Sequence, residues 1–159
     1  MAETRVERRG GTAELPTTAD TIALGARLGE QLRAGDVVVL AGPLGAGKTV
    51  LAKGIAQAMD VDGPVISPTF VLARVHPARR PDAPAMVHVD MYRLLDHTGA
   101  DLLGELDSLD LDTDLDDAVV VVEWGEGLAE RLSENHLDIR LERSPDTEVR
   151  TAIWQWSRP

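Results

Sequence analysis

Cysteine is absent from this 159-residue chain. Its absence removes disulfides, thiolate metal sites and cysteine nucleophiles together, and fits a reducing cytoplasm. Long apolar runs are lacking too. The longest, VVVLA at 37–41 and AVVVV at 118–122, have the length of strands and fall far short of a membrane span. The opening residues, MAETRVERRGGTAEL, are polar and carry no apolar core of the signal-peptide kind. The expectation is a soluble, cytoplasmic protein with no membrane association. Positive charge is scarce: 16 Lys and Arg stand against 27 Asp and Glu, a net charge of −11. Nucleic-acid affinity rests largely on Lys and Arg neutralising phosphates, so tight binding of RNA or DNA by the chain alone is not expected. The basic cluster around Arg79 and Arg80, VHPARRP, reads more simply as a solvated hairpin tip. No internal repeat or low-complexity linker interrupts the chain, and its length suits one domain, residues 1–159, with an ordinary core.

What is present is concentrated in GPLGAGKTV, residues 42–50, which fits G-x-x-x-x-G-K-[ST]. Gly42, Gly45 and Gly47 let the backbone turn tightly and aim its N–H groups inward, with Pro43, Leu44 and Ala46 completing the loop. The helix beginning at Lys48 adds the positive end of its dipole. Lys48 supplies a point charge to the β- and γ-phosphates, the Thr49 hydroxyl is placed for Mg²⁺, and Val50 continues the helix. The bound species expected from the motif are therefore a nucleotide's phosphates and Mg²⁺.

Periodicity supplies the frame. Leu24, Leu28 and Leu32 recur every four residues, which predicts a helix over 18–32, capped by Thr17 or Thr18 and ended by Gly35. DVVVL is continuous rather than alternating, as in a strand buried on both faces. A helix is predicted from Lys48 to Met59. SPTFVLARVH and APAMVHVDMYRL read as two strands joined by the turn PARRPDAP. HTGADLLGELDSLDL is predicted helical, AVVVVEW a second buried strand and GLAERL a short helix. HLDIRLERSPDTEVRTAIWQW reads as a C-terminal β-hairpin. The fold class is α/β: a single-domain P-loop NTPase-like fold with a central mixed β-sheet flanked by helices.

A phosphate loop needs an acidic partner at the end of a neighbouring strand to complete a magnesium site. Two candidates stand there, Asp90 ending MVHVD and Glu123 ending VVVVE. Either suits the ion, directly or through water, and the other suits orientation of the attacking water. Two carboxylates in one dry site repel unless a cation lies between them. Thr69, in SPTF, offers a hydroxyl to the metal or the γ-phosphate in the manner of a switch segment. A turn leading into a strand is an equally simple reading of that stretch. His76, His88, His97 and His136 lack metal-ligand spacing and read as structural or surface residues. Asn135 is the sole Asn, so the guanine-reading Asn-Lys-x-Asp motif is missing, as is any LSGGQ-like segment. Three readings survive on residues alone: an ATPase, a small-molecule kinase, or an ATP sensor that does not hydrolyse.

The ordered set GPLGAGKT, SPTFVL, HVDMYRL and VEWGE resembles the TsaE family, the P-loop ATPases of bacterial tRNA threonylcarbamoyladenosine synthesis, over roughly Thr18 to Glu126. The resemblance implies catalytic roles for Lys48, Asp90 and Glu123, and metal or switch contacts for Thr49, Thr69, Asp90 and Glu123. Trp124 and Arg93 match further positions of the same blocks. Val50, Val89 and Gly125 depart from residues common in the family, Thr, Phe, and Pro or Ser, without touching the nucleotide chemistry. The resemblance further implies hydrolysis of ATP that is slow alone and stimulated by the TsaB–TsaD pair. Modification of adenosine 37 follows in tRNAs that read codons beginning with adenine, without tight tRNA binding by this chain, which is expected to be a monomer. The acids of Asp107–Asp117 would then form a docking surface for that pair.

Overall fold

The computed structural model describes residues 10–43, 46–63, 65, 73–90, 117–123, 136–147 and 149–157. Within them, Gly11–Leu15 form β1, Thr18–Gly29 α1, Val37–Ala41 β2 and Lys48–Met59 α2. Ala73–His76 form β3, Ala85–Asp90 β4, Ala118–Glu123 β5, His136–Arg143 β6 and Arg150–Trp156 β7. The strands make one seven-stranded sheet in the order β1-β7-β6-β2-β5-β4-β3. The four central strands, β6, β2, β5 and β4, are parallel. The outer strands β3, β7 and β1 join antiparallel. The sheet is mixed, helices pack on it, and the C-terminal hairpin is present as β6 and β7, as the sequence predicts. The predicted helices in HTGADLLGELDSLDL and GLAERL lie outside the described residues.

β2 and β5 are buried at every position. That explains their unbroken Val-rich runs, since a parallel strand covered on both faces has no solvent side to mark with polar residues. One face packs under α1 and α2. Val38, Leu40, Met86, Val119, Val121, Leu137, Ile139 and Trp154 meet Leu24, Leu28, Leu51 and Ile55 there in one core. Val37, Val39, Val87, Val89, Val120 and Val122, on alternate positions, are equally buried. β6 and β7 alternate instead: Asp138, Arg140, Glu142, Ile153 and Gln155 are exposed between buried Leu137, Ile139, Leu141, Trp154 and Trp156.

α1 begins at a capping box. The Thr17 hydroxyl oxygen accepts from Asp20 N–H at 3.2 Å, and Asp20 Oδ2 accepts from Thr17 N–H at 2.9 Å. The helix closes at Gly29, earlier than the leucine period suggests. Gln31 and Leu32 continue in tighter bonds to Leu28 and Gly29, and Leu32 still packs on the core, so the apolar period outlasts the helix. α1 and α2 cross closely: a Cβ on Gly54 would collide with the Ile22 carbonyl, and one on Gly25 with that of Leu51. β1, which the sequence reading assigned to no element, pairs along its whole length with β7. The PARRPDAP turn joins β3 to β4 as expected. Arg79 and Arg80 are 59% and 62% exposed and lie 3.6–3.8 Å from Asp60 and Asp62, so the basic cluster is a hairpin tip balanced by its own acids. Among the described residues no helix is long and apolar enough to cross a membrane.

Candidate functional site

The site forms at the carboxyl ends of β2 and β5, where a parallel sheet opens a crevice for ligands. β2 delivers the chain into the phosphate loop. Gly42 has φ +143°, and a Cβ there would strike the Leu141 carbonyl of β6, so only glycine lets the loop leave the sheet at this point. Gly47 follows at φ +102° as the N-cap of α2. Leu44 and Gly45 lie outside the described residues.

The two helices treat their amino ends differently. α1 is closed by side chains, whereas α2 has neither a side-chain cap nor an acid in its first turn. The first N–H groups of a helix have no partner within it, and an uncapped end carrying the dipole's positive pole suits an anion. Lys48 opens this turn and is only 5% exposed. Its ammonium donates to the carbonyls of Gly42 at 2.7 Å and Pro43 at 2.9 Å, folding the side chain over the loop's own backbone. Ala46 is buried beneath the loop, and Val50 is half-buried in the first turn.

Thr49 and Glu123, 74 residues apart in sequence, meet here. The Thr49 hydroxyl donates to the Glu123 carboxylate at 3.1 Å from Oε1 and 3.3 Å from Oε2. Glu123 ends β5 and is 3% exposed. Its other partner is a residue that spacing did not single out. His88, fully buried in β4, places Nε2 2.6 Å from Glu123 Oε2. Nδ1 of His88 has no partner among the described residues. A proton on Nε2 lets the ring donate to the carboxylate. The available signals for His88 were its position two residues before Asp90 on the same strand and its place at the head of the HVDMYRL block. Asp90 pairs in register with Glu123, so β4 and β5 bring the two carboxylate-bearing positions to one level of the sheet. Thr69, Arg93 and Trp124 lie outside the described residues.

This donor set fits Mg²⁺. It offers a hydroxyl and a carboxylate, hard oxygen ligands of the kind Mg²⁺ takes alongside water and substrate phosphates. Among the described residues no group of three His, Asp or Glu forms a metal cage, and a cation held largely by phosphates and water needs none. His76, by contrast, belongs to the packing beneath the β3–β4 turn. Its Nδ1 lies 3.0 Å from the Asp62 carbonyl, and burial holds its pKa below the usual 6.5 despite that bond.

The family model described as "Threonylcarbamoyl adenosine biosynthesis protein TsaE" matches residues 15–152. The chain is 76% identical over 149 residues, 94% of its length and 89% of the other's, to the tRNA threonylcarbamoyladenosine biosynthesis protein TsaE of Mycobacterium bovis. Its identity to the protein of the same name is 74% in Mycobacterium leprae, over 93% of this chain and 92% of the other. In Streptomyces coelicolor it is 54%, over 76% and 78%. The crystal structure of YdiB from Bacillus subtilus superposes with a TM-score of 0.67 at 23% identity, covering 94% of this chain and 86% of that one, a likeness of fold. With the match running from β1 into β7 and including every described residue of the loop, the chain belongs to the TsaE family of threonylcarbamoyl adenosine biosynthesis proteins.

Proposed function

We propose that this protein is an ATPase of tRNA modification, which hydrolyses Mg²⁺-bound ATP to support threonylcarbamoyl addition to adenosine 37. The observation that carries the reading is the hydrogen-bonded chain Thr49–Glu123–His88, its last two members buried, beside the uncapped start of α2. The uncapped N–H groups and Lys48 receive the phosphates, and the lysine exchanges loop carbonyls for phosphate oxygens as it does so. Thr49 and Glu123 hold the magnesium ion, which would neutralise charge developing on the γ-phosphate during in-line attack by water. Asp90, level with Glu123 in the sheet, orients that water. His88 keeps the Glu123 carboxylate from turning away.

The protein acts in the cytoplasm as a monomer that docks on the TsaB–TsaD pair, which handles the tRNA. Its acidity supports that division of labour, since a chain of net charge −11 is poorly suited to grip phosphates of RNA on its own. Neutralising the acids of 107–117, of which only Asp117 is among the described residues, is expected to weaken assembly with the pair.

The deciding experiment measures phosphate release from Mg-ATP, with and without the TsaB–TsaD pair, using Lys48→Ala as control. Slow release that rises with the pair and disappears in the variant is expected. Release indifferent to the pair would turn the reading toward a kinase, tested with small-molecule acceptors. Binding without any release would turn it toward an ATP sensor.

A further inference from the structure

The phosphate loop has a neighbour from a distant part of the chain. A Cβ built on Gly47 would meet Arg150 Cδ at 3.5 Å and Nε at 3.6 Å, with Thr21 Cγ2 of α1 at 3.8 Å. The arginine's stem therefore runs along the loop residue immediately before Lys48. Arg150 opens β7 and is half-buried, and in the sheet register it stands directly opposite Arg143, the exposed last residue of β6. Directly opposed residues share a face. The face is the one that carries α1 and α2, because Arg150 and Arg143 continue the alternation of buried Ala152 and Trp154, and of Ile139 and Leu141. A chain with 27 acids and 16 Lys and Arg does not place two arginines together through general basicity.

We propose that Arg150, backed by Arg143, is a nucleotide-binding residue, a guanidinium supplied by the C-terminal hairpin to the phosphates that ATP and ADP share. The proposal rests on the nucleotide-binding reading above and extends it to a strand outside the phosphate-loop motif. A planar guanidinium matches phosphate oxygens with two parallel donors, which a lysine ammonium does not reproduce. The assignment to the shared phosphates follows from position. Loop backbone cradles the α- and β-phosphates while the lysine reaches toward the γ-phosphate, and Arg150 lies against loop backbone at Gly47.

The test is calorimetric affinity for Mg-ATP and Mg-ADP in wild type, Arg150→Met, Arg150→Lys, Arg143→Gln and Lys48→Ala, with the melting temperature of each measured without nucleotide. Arg150→Met, which keeps most of the stem, is expected to weaken both nucleotides alike by about 10- to 100-fold, the range for losing one charge-assisted hydrogen bond. Arg150→Lys is expected to recover only part, and Arg143→Gln to show a smaller loss in the same direction. Wild-type affinity for both nucleotides in Arg150→Met overturns the proposal, and a loss confined to ATP overturns the assignment to the shared phosphates. If Arg150→Met melts early, Arg143→Gln decides, since its side chain is exposed: unchanged affinity there reduces Arg150 to packing. A folded wild type that binds neither nucleotide overturns instead the nucleotide-binding reading on which all of this stands.

Discussion

Glu123 is held from two sides, by a threonine at the start of a helix and a histidine on the neighbouring strand. Removing the histidine frees the carboxylate to rotate, so His88→Ala is expected to weaken Mg²⁺ affinity in the presence of ATP by about tenfold, the lower end of what losing an outer-sphere partner costs. His88→Gln, whose amide nitrogen reaches the place of Nε2, is expected to restore most of it. A Mg²⁺ titration of ATP binding separates the two, and equal weakening in both variants would reduce His88 to a filler of space. His76 makes a different prediction. Because burial lowers its pKa below 6.5, the folded protein holds it neutral while the unfolded chain takes up a proton. Stability is therefore complete above pH 6.5 and declines as pH falls from there toward the folded pKa, with a slope of at most one proton. Denaturant midpoints measured between pH 7.5 and 5 are expected to fall less in His76→Gln than in the wild type. At this scale the positions of the phosphate loop and of the acids that end β4 and β5 were legible in the sequence, because each stands directly after a run of Val-rich strand residues. His88 was not legible as Glu123's partner, because that contact exists only once β4 lies beside β5.

Elements are specified at their ends as much as along their length. The capping box makes Thr17→Ala cost about 1 kcal/mol, readable as a lower denaturant midpoint. Gly54 sits inside a helix, where alanine would normally add about 1 kcal/mol of propensity. Here the new methyl group meets the Ile22 carbonyl, so Gly54→Ala is expected to destabilise, and a higher melting temperature would contradict the close crossing of α1 and α2. The bounds of α2 and the start of α1 follow from local signals: a glycine-rich loop, a Thr-x-x-Asp cap, an apolar period. The end of α1 did not, because Leu32 keeps the period while already in a turn. β1 escaped because GTAEL carries little of a strand's usual composition. Its state is imposed by hydrogen bonds to β7, which no window of fifteen residues contains.

For the molecule as a whole, binding and stability are one measurement. A ligand that binds only the folded state stabilises it by about 2.7 kcal/mol at a hundred times its dissociation constant. Saturating Mg-ATP is thus expected to raise the melting temperature by several degrees, and Lys48→Ala to abolish the rise. The α/β class was legible from two buried Val-rich strands, a phosphate loop and a hairpin. The strand order was not, since nothing local says that β6 inserts beside β2 or that β1 crosses to β7. That order has a consequence for how the protein is made. Synthesis proceeds from the amino end at about 5–20 residues per second, so β2 emerges from the ribosome well before its neighbour β6, and β1 before its partner β7. The nascent chain therefore carries a phosphate loop on a half-built sheet, and the first strand waits for the seventh. A nucleotide encountered before β6 and β7 emerge finds an unfinished sheet behind the loop, which would tie binding at this site to the arrival of those two strands.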